Sequence, residues 1–92
     1  MMYREPSDSP WGVVVRCDTL CTGVYSVSTA GHGGIMVQTD AARRLLSPEA
    51  QAVGFQAGRY LNFEEDCDAP VVLRELVDSG IIAPRTDNYF RP

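Results

Sequence analysis

The stretch Val24 to Val37, Val-Tyr-Ser-Val-Ser-Thr-Ala-Gly-His-Gly-Gly-Ile-Met-Val, sets the narrowest limits on the fold, because it places the chain's single histidine among three glycines between two strand-like runs. Gly31, Gly33 and Gly34 carry no Cβ, so the backbone there can take positive φ or lie close against another segment, while His32 alone offers a side chain. Val24 to Thr29 and Gly34 to Gln38 read as strands, which makes Ala30-Gly31-His32-Gly33 the tip of a hairpin. Far along the chain, Glu64-Glu65-Asp66-Cys67-Asp68 gathers four acids around a thiol. The two segments are expected to meet in space.

The remaining elements arrange themselves around that hairpin. Trp11 to Cys17, with the β-branched run Val13-Val14-Val15, predicts a strand with Val13, Val15 and Cys17 on one face, and Asp18 to Gly23 then turns the chain. Thr39 or Asp40 is placed to cap a helix through Ala41 to Leu46 that turns Leu45 and Leu46 inward, and Ser47-Pro48 opens a second short turn through Ala52. Gly54 and Gly58 bracket Phe55, after which Arg59 to Glu64 alternates as a fourth strand burying Leu61 and Phe63 or Tyr60. Asp68-Ala69-Pro70 is a helix start with Asp68 as cap, and Val72, Leu73, Leu76 and Val77 form one apolar face before Gly80. Ile81 and Ile82 pack as the chain leaves. Residues 1–10 read as a flexible lead anchored at Tyr3 or at the Ser9-Pro10 turn, residues 11–83 as one domain, and residues 84–92 as a tail with Tyr89 and Phe90 as its only anchors. The expected fold is α+β: a small antiparallel sheet of three to four strands with one or two helices packed on one face.

Composition narrows the partners. A chain of 92 residues suits a single domain that buries only about 60 to 65% of its unfolded surface, so a metal or a partner would matter to its stability. The net charge of −4 argues against direct binding to a phosphate backbone. All eight basic residues are arginine, which points to codon usage rather than to a mechanism. No apolar run is long enough to span a bilayer, and the N-terminus lacks a signal-peptide core, so the expected location is cytoplasmic. Three cysteines, an odd number, fit reduced thiols or metal ligands better than a disulfide framework.

Those thiols give two candidate metal sets. Cys17 and Cys21 have the spacing of a zinc ligand pair and, with Cys67 and His32, would complete a closed tetrahedron. The preferred set is His32 and Cys67 with one or two of Glu64, Glu65 and Asp66, of which Asp66 is the chosen ligand, and with zinc as the ion that imidazole and thiolate select. Against both stands the plain reading of Cys17 and Cys67 as small buried hydrophobes. Cys67 is also a candidate nucleophile, with His32 as base and Asp66 or Asp68 orienting the ring, although the surrounding acids would raise the thiol's pKa and suppress the thiolate. His32 can equally hydrogen-bond a carboxylate or carbonyl and pin the hairpin. Among the acids, Asp68 is assigned to the helix N-terminus, and Glu64 and Glu65 are left to serve a partner. Ser26, Ser28 and Thr29 read as strand and turn residues.

Trp11-Gly12, the run Gly23 to Ile35 and the run Phe63 to Ala69 resemble a family of small phage and prophage domains, with a W-G start, a G-[IV]-x-x-V-S-T-x-x-H-G-G core and a later E-E-D-C. The resemblance covers most of Trp11 to Val72 and carries no catalytic residue across; Cys17 and Cys21 fall outside its motifs. It implies a mobile-element setting, where small acidic proteins commonly act by binding a host defence machine, as anti-CRISPR proteins do. The resulting expectation is a non-enzymatic accessory protein in the bacterial cytoplasm. It would bind and inhibit a host nucleic-acid-handling or defence protein through Glu64 and Glu65, with a structural zinc at His32, Cys67 and Asp66. The alternative is a small metal- or thiol-dependent enzyme using His32 and Cys67.

Overall fold

Five consecutive buried residues, Gly33 to Val37, identify the strand around which the sheet is built. A strand buried without a break must be covered on both faces, whereas a half-exposed one alternates. The computed structural model, which describes residues 4–83, shows both covers. Tyr3, Tyr89 and Phe90, named above as anchors, lie outside the described residues, as do residues 84–92 of the expected tail.

In chain order the elements are β1 (Asp8–Ser9), β2 (Gly12–Val13), β3 (Arg16–Cys21), β4 (Val24–Ser28), β5 (Gly33–Gln38), α1 (Thr39–Leu45), α2 (Pro48–Val53), β6 (Phe55–Ala57), β7 (Tyr60–Glu64) and α3 (Ala69–Asp78). The fold is α+β as expected, but its main sheet is larger, with five antiparallel strands in the order β3-β4-β5-β7-β6. A separate two-stranded ribbon joins β1 to β2, and there are three helices among the described residues. None of these helices is long and apolar enough to cross a membrane.

Register decides which side chains share a face. Val24 lies opposite Val37 and Ile35 opposite Phe63, so these four point to one side, where they join Ala41, Ala42, Leu46, Ala50, Ala69, Val72, Leu73 and Leu76 of the helical layer. On the other side Tyr25, Val27 and Met36 form a second cluster with Trp11, Val14, Cys17 and Tyr60. Fully burying a side chain of the size of Leu73 or Phe63 is worth about 1.5–3 kcal/mol, so the helical face carries most of the apolar stabilisation.

The helices follow local rules with two departures. Ser47 caps α2, accepting from Ala50 N at 3.1 Å, while its N–H donates to Glu75 Oε1 at 2.9 Å and its hydroxyl to Glu75 Oε2, which ties α2 to α3. α3 ends on Gly80 at φ 76°, with Ile81 N donating to Leu76 O at 2.9 Å, the left-handed stop expected of a glycine there. Asp68 occupies the cap position of α3, yet its side chain makes no cap hydrogen bond, so the capping role expected of it is corrected. Gln38, rather than Thr39 or Asp40, precedes α1, and the Thr39 hydroxyl instead donates to Arg59 O at 3.0 Å.

The N-terminal third differs most from expectation. No strand runs from Trp11 to Cys17; the chain makes the β1-β2 ribbon and then β3, which starts at Arg16 and continues to Cys21 through residues expected to turn. The turn itself is only Thr22-Gly23, with Gly23 at φ 85°. Val13 and Val15, expected on one strand face with Cys17, are 71% and 73% exposed, whereas Cys17 is partly buried. The physical reason is that Val14, between the two valines, packs with Trp11 and Cys17 on the second cluster, which turns its two neighbours outward. The expected flexible lead thus contains β1, and Glu5 accepts a hydrogen bond from the Thr19 hydroxyl at 2.6 Å. β6 was not foreseen. It is three residues long, and Asn62, buried on β7, holds it by donating to Phe55 O at 3.1 Å.

None of the three glycines around His32 takes a positive φ; what Gly33 and Gly34 supply is close approach. A Cβ at Gly34 would lie 2.5 Å from Trp11 Cη2 and against the Phe63 carbonyl, and one at Gly33 would lie 2.5 Å from Val27 O, whereas at Gly31 nothing stands within 4 Å. Gly34→Ala is therefore expected to lower the unfolding free energy by about 1–3 kcal/mol, and Gly31→Ala to stay within about 0.5 kcal/mol of the parent, as measured by denaturant unfolding. Equal effects would mean that the indole does not rest on β5.

Candidate functional site

The hairpin tip is fixed before it meets anything else. Thr29 N donates to His32 O at 2.7 Å, the Thr29 hydroxyl donates to the same oxygen at 2.6 Å, and His32 N donates back to Thr29 Oγ1 at 3.1 Å. One threonine therefore locks the backbone of the histidine, a hydrogen-bonding role added to its expected turn chemistry.

Topology then supplies the neighbours. β5 and β7 are antiparallel with Gly34 opposite Glu64, so the start of one strand lies beside the end of the other, and Glu65 N extends the ladder to Gly33 O at 3.2 Å. The two segments singled out in the sequence do meet. His32 Nε2 lies 3.9 Å from Glu64 Oε2, and Nδ1 lies 4.0 Å from Glu65 Oε1, both too long for a hydrogen bond. Trp11 walls the imidazole on another side, with ring centroids 6.1 Å apart in an edge-on arrangement. The His32 side chain is 34% exposed, open enough to reach a ligand yet held by its surroundings.

Ligand atoms of His32, Glu65 and Asp66 all lie within 4.8 Å of one another. Of the three residues expected to hold a metal, His32 and Asp66 belong to this group. Cys67 is exposed and lies outside it, and Glu65 is the third member instead. A turn explains the difference: Cys67 N and Asp68 N both donate to Glu64 O, at 3.3 and 2.9 Å, so the chain curls after β7 and neighbouring side chains diverge. The Glu64 and Glu65 side chains remain 46% and 37% exposed. Trp11 is the residue of the site that the sequence reading left unassigned. The signal for it was the Trp-Gly pair.

The other two thiols lie elsewhere. Cys17 packs on the second cluster beneath the N-terminal ribbon, and Cys21 lies opposite Val24 and packs against the helical core. Burial, reinforced by the charges of Glu5 and Asp18, pushes the Cys17 thiol from 9.0 up to about 11; burial also raises Cys21. At the far end of β7 from Glu64, a groove of about 340 Å³ opens between Pro10, Met36, Arg59 and Tyr60.

A family model described as a domain of unknown function, DUF7007, matches residues 4–81. No curated protein and no solved structure matches the chain.

The thiols make the site's geometry testable. Cys67 is expected to react first with a maleimide at neutral pH, well ahead of Cys17, as followed by mass spectrometry of digests. Because the folded state holds the Cys17 proton to higher pH than the unfolded chain does, the stabilisation from this group is complete below pH 9.0 and is lost as pH rises through about 11. Cys17→Ser should flatten the fall in melting temperature over that window. A fall unchanged by the substitution would place the cause elsewhere.

Proposed function

The chain belongs to the DUF7007 family, and from that premise we propose that it is a non-enzymatic binding protein that docks by its carboxylate-bearing end on a host protein of a nucleic-acid-handling or defence complex. The observation that carries this reading is the grouping of Glu64, Glu65 and Asp66 around His32 at one end of the sheet. Carboxylates held this way attract a basic surface of the kind that binds phosphates, and the net charge of −4 repels nucleic acid itself. The motif resemblance supports a phage or mobile-element accessory role of the anti-CRISPR kind, acting in the cytoplasm of a bacterial host. Cys67 lies outside the His32 group, which supports binding over thiol catalysis.

Pull-down from host lysate is expected to recover a basic, nucleic-acid-binding protein. The combined change Glu64→Gln, Glu65→Gln, Asp66→Asn should weaken that complex by on the order of tenfold and reduce its salt dependence. Full retention by the triple variant, or turnover of a small molecule that Cys67→Ala abolishes, would overturn the reading.

The His32, Glu65 and Asp66 group favours a second reading, a structural divalent ion. One imidazole and two carboxylates suit zinc or manganese, and Glu64, near the other ring nitrogen, stands where a second-sphere carboxylate orients a ligating histidine. Zinc should then raise the melting temperature of the parent and leave that of His32→Ala unchanged. No shift in the parent would eliminate the ion.

A further inference from the structure

β3 is an edge strand: β4 pairs with one of its sides, and no strand among the described residues pairs with the other. An open edge carries a row of main-chain donors and acceptors that water or another strand must satisfy. The opposite edge, β6, has only three residues to offer, whereas β3 has six, and its Arg16, Asp18 and Thr19 are exposed. The register shift in β3 falls after Thr19, so the first part of the strand is regular. Just ahead of it the chain bends at Val15, whose N–H donates to Ser28 O at 2.8 Å and whose apolar side chain is 73% exposed. Charged side chains are one way to blunt such an edge, unless the approaching strand matches them. Here Arg16 and Asp18 carry opposite charges two positions apart on the same sheet face, with Nε 3.5 Å from Oδ2.

That spacing is self-complementary. If two copies of β3 pair antiparallel about a two-fold axis at Cys17, Arg16 of each copy faces Asp18 of the other. Directly opposed residues share a face, so both charge pairs form on the same side of the joined sheet. Moving the axis one residue either way would set Arg16 against Arg16 or Asp18 against Asp18, so the charges select one register. We propose that this chain forms a symmetric homodimer by edge-to-edge pairing of β3, its two sheets continuing as one and its register set by reciprocal Arg16–Asp18 pairs. The main-chain ladder supplies the attraction. This inference rests on β3 alone and is independent of the acidic end.

Sedimentation of the full chain across a concentration series tests it, with Arg16→Asp and Asp18→Arg as variants at exposed positions and circular dichroism to show that each folds. The parent is expected to associate reversibly into dimers. Each variant alone brings like charges together and should weaken the dimer by on the order of tenfold or more, whereas an equimolar mixture of the two matches every charge with its opposite and should restore it. Three results would each overturn the proposal: a parent that stays monomeric throughout the series, including one whose edge captures only an unrelated extended peptide; single variants that dimerise as the parent does; or a mixture no better associated than its components.

Discussion

The indole of Trp11 lying on the bare backbone of Gly34 is the contact on which this fold turns. β5 is the middle strand of the sheet, and at Gly34 it has no side chain of its own to fill the space above it. An aromatic ring from the N-terminal ribbon occupies that space, which seats the ribbon over Tyr25, Val27 and Met36 and gives the sheet its second apolar layer. The same ring also meets His32 and Phe55, so one partly buried side chain connects the ribbon, the hairpin tip and the far edge strand. In a domain this small, with little core to spare, closing the second face is a large part of what makes the sheet stable.

The chemistry of the acidic end follows from the same central strand. Because β5 runs antiparallel to both β4 and β7, its first residues lie at once beside the end of β4 and the end of β7. His32 is thereby delivered to Glu64 and Glu65 by sheet topology, with Thr29 fixing its backbone and Trp11 restricting where the ring can lie. The carboxylates need no special fold to gather. They stand where a strand ends and a turn begins, which leaves them open to water and to a partner.

Much of this was legible in the sequence, for identifiable reasons. The β4-β5 hairpin, β7 and α3 carry strong periodicity, and each is bounded by a glycine, a proline or an acid cluster that punctuates it. The meeting of the two motifs could be anticipated because a histidine at a hairpin tip needs a partner within reach. The N-terminal third was misread because the β-branched valines suggest a strand, while the run Asp18 to Gly23 suggests a turn; on an edge strand those signals reverse, since an outer strand tolerates polar residues and a neighbouring loop can expose valine. β6 was invisible because three residues leave no period to read. The separation of Cys67 from His32 depends on the curl of one turn after β7, a detail that no spacing rule encodes.

The most direct test of the central claim is a nuclear Overhauser measurement between the Trp11 indole protons and the Gly34 α-protons. Packing of the ring edge on Gly34 predicts strong cross-peaks from the Hη2 and Hζ2 protons, with the glycine α-protons displaced from their random-coil shifts by the ring current. Random-coil shifts at Gly34 and an indole without cross-peaks to β5 would show that the ribbon does not close the second face, and the account of how His32 is held would fall with it.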